Sequence, residues 1–197
     1  KVEPYNSSAF NVAIISNEWD ETTGEGVITF NGEITTIGDE AFRNCSSLTS
    51  VTIPDSVTTI GEAAFYYCRS LSSVTIPNSI TTIGTEAFRY CSSLTSVTIP
   101  DSVTTLGNWA FSACSSLTSV TIGDSVTTIG DWAFDECYSL TSVYCKATTP
   151  PTLDGSSVFD YNKSGRKIYV PTESVEAYKS AENWSDYADD IVGYNFG

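Results

Sequence analysis

The sequence contains no histidine and no methionine, and its nine Lys and Arg face 24 Asp and Glu, a formal charge of -15 over 197 residues. Without histidine there is no Ser-His-Asp or Cys-His nucleophile, no histidine proton shuttle and no His-ligated zinc. A charge of -15 repels phosphate backbones and anionic lipid, since nucleic-acid affinity comes largely from Lys and Arg displacing counterions. Neither nucleic acid nor an acidic membrane is an expected partner. No apolar run approaches the ~18 residues of a membrane helix, and no signal-peptide core is present, so this segment is not expected to insert into a membrane. Lys1 is not a translation start; a processed or truncated chain is expected, with any secretion signal removed or absent.

What the sequence has in quantity is hydroxyl. Ser and Thr number 54 of 197 residues, while 41% of the chain is hydrophobic, a pairing that indicates polar-faced strands over a core rather than disorder. The bias has a period. Ile37, Ile60, Ile83, Leu106 and Ile129 recur every 23 residues, each followed by a glycine. Four residues beyond the glycine comes Phe42, Phe65, Phe88, Phe111 or Phe134, always after alanine, and three further comes Cys45, Cys68, Cys91, Cys114 or Cys137. Each unit then reads Ser-Leu-x-Ser-Val-x-Ile or a close variant, and Pro54, Pro77 or Pro100 closes that stretch in three of them.

The unit predicts two alternating, β-branched strands, residues 48–53 and 57–60 in one copy, joined by a Pro-Asp-Ser or Pro-Asn-Ser turn. A return through Ala-Phe-x-x-Cys is expected as one or two helical or 3₁₀ turns. About eight positions per unit point inward, and stacking makes them one continuous core. Strands are expected to begin near Val27, Leu48, Leu71, Leu94, Leu117, Leu140 and Lys167, a stack about 29 Å long at roughly 4.8 Å per step. Three regions follow: an N-terminal cap over residues 1–25, the 23-residue repeats over 26–145, and a C-terminal cap over 146–197. The first cap is predicted as a hairpin in which 10–16 and 27–30 flank an acidic turn, 17–26. In the second, an irregular segment, 146–162, leads to a strand at 166–170 and a helix from an N-cap at Thr172 to about Trp184.

The unit I-P-x-S-V-T-x-I-G-x-x-A-F-x-x-C-S-S-L-T-S-V-x, carried by residues 30–145, resembles the BspA-type bacterial leucine-rich repeat. The segment with Pro150-Pro151, Ile168-Tyr169-Val170-Pro171 and Tyr178-Lys179-Ser180-Ala181 is similar to the one that often follows such repeats in surface proteins of gut and oral anaerobes. The resemblance implies a right-handed, mainly β solenoid with parallel strands, short helical turns and terminal caps. It also implies a secreted or surface-displayed adhesion module, with no catalytic residues to carry over.

Several columns invite chemistry. The five in-register cysteines lie at an inward corner and Cys145 takes the place held by Ile53, Ile76, Ile99 and Ile122, which suits buried packing; disulfides or a reactive thiol are the competing reading. A metal site is not expected without clustered CxxC pairs. The column Ser50, Ser73, Ser96, Ser119 and Ser142, beside Thr52, Thr75, Thr98 and Thr121, suits a solvated sheet face, with sugar or ice binding as alternatives. The pairs Asp20-Glu21, Asp135-Glu136 and Asp189-Asp190 read as solvated charge, and the turn column Asp55, Asn78, Asp101 and Asp124 as charge or a weak divalent-ion site.

The informative positions are those the repeat leaves free. Before Ala-Phe the column runs Glu40, Ala63, Glu86, Trp109, Trp132, and after Phe come Tyr66, Tyr67 and Tyr90. Two tryptophans in adjacent coils make an aromatic patch. Trp109, Trp132, Tyr66, Tyr67 and Tyr90 are therefore the candidate ligand-binding residues, against the reading that they only pack. The expected function is a non-enzymatic, monomeric surface or secreted module recognising a neutral or basic protein or glycan ligand, without a cofactor. A secreted glycan-active enzyme and a rigid display spacer are the alternatives.

Overall fold

A computed structural model of the chain describes residues 2–20, 22–23 and 25–197. Lys1, Glu21 and Gly24 lie outside the described residues, and with them the Asp20-Glu21 pair and the tip of the predicted N-terminal turn. The chain winds as a three-sided, mainly β solenoid of parallel strands. On the first side run Ser50–Thr52, Ser73–Thr75, Ser96–Ile99, Ser119–Ile122, Ser142–Cys145, Lys167–Pro171 and Ile191–Tyr194, paired in a two-stranded and a five-stranded part. Equivalent residues face one another, as Thr98 faces Thr121 and Thr121 faces Tyr144. On the second side a six-stranded ladder links Thr36–Ile37, Thr59–Ile60, Thr82–Ile83, Thr105–Leu106, Thr128–Ile129 and Thr152–Leu153.

The third side differs from the helical return expected of Ala-Phe-x-x-Cys. It is a run of overlapping turns in which two residues per coil are left-handed: Glu40 and Asn44, Ala63 and Tyr67, Glu86 and Tyr90, Trp109 and Ala113, Trp132 and Glu136, all with φ between 52° and 63°. A helix closes its hydrogen bonds within the segment, whereas here they alternate. Phe65 N donates to Ala87 O of the next coil at 2.7 Å, and Tyr66 N donates within its own turn to Ala63 O at 3.1 Å. The left-handed residues aim alternate amides at the neighbouring coil, so the return joins the ladder that stacking requires.

Inside, the phenylalanines stack from Phe42 through Phe65, Phe88, Phe111 and Phe134 to Phe159, with centroids 5.0–5.6 Å apart. Beside them all six cysteines are unpaired and buried. Four donate an S–H to a phenylalanine carbonyl of the preceding coil, such as Cys68 to Phe42 at 3.0 Å and Cys91 to Phe65 at 3.3 Å. The glycine after each of the first five second-side strands is fixed by crowding: a Cβ on Gly107 would lie 2.4 Å from Thr85 N and 2.5 Å from Gly84 C.

Both ends depart from expectation. The N-terminal hairpin pairs Ile14–Asp20 antiparallel with Glu25–Phe30, so residues 17–20 and 25–26, expected in the turn, are strand. Asp20 Oδ1 accepts from Thr22 N and Thr22 Oγ1 at 2.8 and 2.6 Å, an Asx-type turn that tightens the bend and lengthens the strands. Among the described residues Glu25–Phe30 has no second strand partner, so Val27 does not begin the parallel stack and is 60% exposed. Pairing with the strand next in sequence has replaced pairing with the coil below.

At the other end, the irregular segment completes a further coil. Leu153 pairs beside Ile129, Phe159 extends the phenylalanine stack, and Phe134 N donates to Val158 O at 2.9 Å. The predicted long helix is three short pieces: a 3₁₀ turn Thr172–Ser174, an α-helix Val175–Ser180 and a 3₁₀ helix Trp184–Asp190. Thr172 lies inside the first piece, whose N-cap is Pro171, and left-handed Asn183 breaks the rest. The strand Ile191–Tyr194, absent from the sequence reading, adds to the first side in parallel with Lys167–Pro171.

Candidate functional site

The third side carries the five candidate residues on its outer surface, and stacking sorts them into two groups. Tyr66, Tyr67 and Tyr90 form one cluster with centroids 4.4–5.6 Å apart. Trp109 and Trp132 form the other, nearly parallel at 4.9 Å, with Trp132 37% exposed. Arg89 joins the groups, its guanidinium 5.0 Å from the Tyr90 ring and 5.5 Å from Trp109, while its side chain pairs with Glu86. Arg43 lies 5.1 Å over Tyr66 and Arg69 4.5 Å over Tyr67. Three of the chain's few cations therefore lie on these rings, each contact worth about 0.5–1 kcal/mol at an exposed site.

Trp109 and Trp132 both sit at φ 54°. The repeat coils before them have a left-handed residue there as well, at Glu40, Ala63 and Glu86, so the conformation belongs to the repeat; the side chain does not. A bulky aromatic is among the residues least suited to positive φ, and glycine or asparagine would be easier. These tryptophans oppose the preference of their own backbone.

Beyond Trp132 the strip turns acidic. Asp135, Glu136 and Asp160 follow in the columns that hold Arg43, Asn44, Tyr66, Tyr67, Arg89 and Tyr90 in earlier coils, with Tyr138 and Tyr161 exposed beside them. Burial first, then the negative charge of Glu136, pushes the Asp135 carboxyl up to about 6, opposed by its bond from the Glu136 amide and by Arg89. Its Oδ1 is buried without a hydrogen-bond partner. Sequence reasoning paired Asp135 with Glu136 but missed their place at the end of the strip. The available sign was Tyr161, which follows Phe159 by two residues as Tyr67 follows Phe65.

A second aromatic group, also missed, lies on the outer face of the first side. Tyr144 and Tyr169 stack at 4.7 Å, and Tyr194 packs edge-on to both at 5.4 and 5.7 Å, with Phe196 4.9 Å further on. Tyr144 stands where the column Thr52, Thr75, Thr98, Thr121 would place threonine, and that break was the readable sign. In the turn column, Asp101 is already engaged by Lys146 Nζ at 2.8 Å to each oxygen and by Asp124 N at 3.1 Å. Among the described residues, no three Cys, Asp or Glu side chains are grouped to hold a metal ion.

The family model of the BspA type leucine rich repeat region matches residues 14–141 and 81–181. A leucine rich repeat protein of T. pallidum is similar over 97% of this chain and 98% of that one, at 22% identity and a TM-score of 0.59. A leucine rich cell surface protein from Faecalibacterium prausnitzii A2-165 is 30% identical over 91% of this chain, with a TM-score of 0.54, and this chain spans 57% of its length. The pneumococcal vaccine antigen PcpA is 18% identical over 82% of this chain and 42% of its own, with a TM-score of 0.56, a likeness of fold alone. No curated protein matches the chain.

Proposed function

The chain belongs to the BspA-type leucine-rich repeat family, and on that premise we propose that it is a non-enzymatic recognition module, secreted or displayed at a cell surface. It binds a neutral or basic protein partner along the Tyr66, Tyr67, Tyr90, Trp109 and Trp132 strip. The observation that carries this reading is the tryptophan stack held at a left-handed backbone position, with one ring exposed. Binding energy at protein interfaces concentrates in Trp, Tyr and Arg, and here those residues are ordered by their own stacking before a partner arrives. Asp135, Glu136 and Asp160 extend the strip with negative charge, and the chain's -15 favours a cationic partner. Display at a surface is supported by the Faecalibacterium cell surface relative.

The test is binding of the intact protein to basic and acidic extracellular-matrix proteins immobilised in parallel. Binding is expected to the basic set, weakened at least about tenfold in a folded Trp109→Ala, Trp132→Ala double variant. Unchanged affinity in that variant overturns the assignment of the strip. One observation favours a secreted glycan-active enzyme instead: the raised carboxyl of Asp135 beside Asp160, on a surface with exposed aromatics. Hydrolysis of a glycan panel, lost in Asp135→Asn, would establish that reading.

A further inference from the structure

We propose that the protein carries a second binding site, for a neutral β-linked oligosaccharide, in the recess that its C-terminal tail forms on the outer face of the first side. The strand Ile191–Tyr194 ends beside Lys167–Pro171, and the residues after it, Asn195 and Phe196, share the recess with Tyr144 and Thr121 of the sheet. Tyr194 lies edge-on to the stacked rings of Tyr144 and Tyr169, and Phe196 lies edge-on to Tyr194. Between this tail and the strand bearing Thr121 is a shallow recess of about 330 Å³, lined by Thr121, Tyr144, Tyr194, Asn195 and Phe196. Its size is at the low end for a ligand pocket, suited to one ring rather than a large molecule.

The lining states the chemistry. Three aromatic rings supply apolar faces; the Thr121 hydroxyl and the Asn195 side-chain amide supply hydrogen bonds; no ionised group is present. A pyranose has the complementary surface, with C–H faces that stack on aromatic rings and a rim of hydroxyls for polar partners. A cation would lack a carboxylate in the recess, and an anion would meet the field of a chain with charge -15. A neutral sugar remains.

The surroundings choose the linkage. From the recess the outer face continues to the exposed Thr98, directly opposite Thr121, and then, past the break between the five-stranded and two-stranded parts, to the exposed Thr75. Neighbouring strands lie about 4.8 Å apart, close to the advance per residue of an extended β-1,4-linked glycan. One ring in the recess would thus leave the next over the Thr98 hydroxyl. This site is separate from the tryptophan strip, which lies on another side of the coil.

The test is titration of the intact protein with cellohexaose, xylohexaose and mannohexaose, followed by calorimetry and by NMR of ring and Asn195 amide signals. Maltohexaose, hexagalacturonate and tetramethylammonium serve as controls. At least one β-1,4-linked hexaose is expected to bind and to shift the Tyr144, Tyr194 and Asn195 signals. Tyr144→Ala is expected to weaken it at least about tenfold, Tyr144→Phe to keep it within about threefold, and Thr121→Val to weaken it severalfold. The Trp109→Ala, Trp132→Ala variant should bind the sugar as the parent does, which separates failure here from failure of the strip. The proposal is overturned if no neutral β-1,4-linked hexaose binds at millimolar concentration, or if a folded Tyr144→Ala protein binds undiminished. Tighter binding of hexagalacturonate or tetramethylammonium overturns it as well.

Discussion

The two ends of the solenoid solve one problem unequally. A coil with no neighbour leaves apolar side chains and backbone groups uncovered. The C-terminal end covers both at once. Tyr178 and Trp184 are fully buried under the last coil, Tyr178 Oη donating to Ala147 O and Trp184 Nε1 to Pro151 O, each at 2.7 Å. Asn183 Nδ2 donates to Leu153 O at 2.9 Å, and Arg166 ties Phe159 O to Asp190.

The N-terminal end satisfies its polar groups with equal care. Asn11 Oδ1 accepts from Thr35 N at 2.8 Å, its Nδ2 donates to Glu33 O at 3.1 Å, and Gly38 N reaches Ala9 O at 2.7 Å. Its apolar cover is thinner. Phe10 packs on Phe30 and Phe42, but the hairpin stands off the first side and leaves a cavity of about 420 Å³, lined in part by Phe30, Ile34, Leu48 and Val51. Hydrogen bonding alone does not finish a cap; the core must also be filled.

The comparison breaks most readily at the large cap residues. Trp184→Ala should cost about 3–5 kcal/mol in urea denaturation, and Phe10→Ala, beside an existing cavity, about 2 kcal/mol. Equal costs would mean that the two caps are equally packed. A sharper contrast uses one substitution at equivalent positions of two coils. Val120 is fully enclosed, so Val120→Leu should destabilise by about 1–3 kcal/mol, whereas Val51→Leu has the cavity to grow into and should be neutral or stabilising by up to about 1 kcal/mol. A loss at Val51 matching that at Val120 would show the cavity closed in solution.

The thiols give the same gradient kinetically. Burial raises the Cys45 thiol, raises Cys68 to about 12, and raises Cys91, Cys114 and Cys137 well above the ordinary thiol value. Native-state alkylation followed by peptide mapping should therefore label Cys45 first, with the interior cysteines reacting only on unfolding. Early labelling of Cys114 would contradict the packed centre.

The smallest effect belongs to Asp135, in the better-packed half. Its folded-state carboxyl lies near 6, above the ordinary 3.8, so the stability linked to its protonation is present below about pH 4 and is lost as pH rises through about 6. Asp135→Asn should accordingly stabilise the protein at pH 7.5, by under about 1 kcal/mol because the group is partly solvated, and the gain should vanish by pH 4. Thermal melts at both pH values measure it.

Most of the repeat region was legible because each coil meets only its neighbours. One period of 23 placed Phe65 on Phe88, put the cysteines in one column and set Trp109 beside Trp132. What the period could not reveal was how the return segment alternates its amides between coils, which depends on left-handed residues such as Glu40 and Ala63 that carry no glycine signature. Nor could it show that Arg89 bridges Tyr90 and Trp109, because long side chains reach across columns that the repeat treats as separate.

The sequence by itself determined the coil, its core and the columns on its faces, since in-register stacking turns a spacing along the chain into a contact in space. The tertiary structure decided the ends. There the periodic neighbour is missing, so pairing follows whichever surface is available. Glu25–Phe30 joins the strand beside it in sequence. Phe159 enters a coil that the repeat had ceased to spell. Tyr194 and Phe196 line a recess with Thr121 and Tyr144, residues of the repeat column to which no spacing connects them.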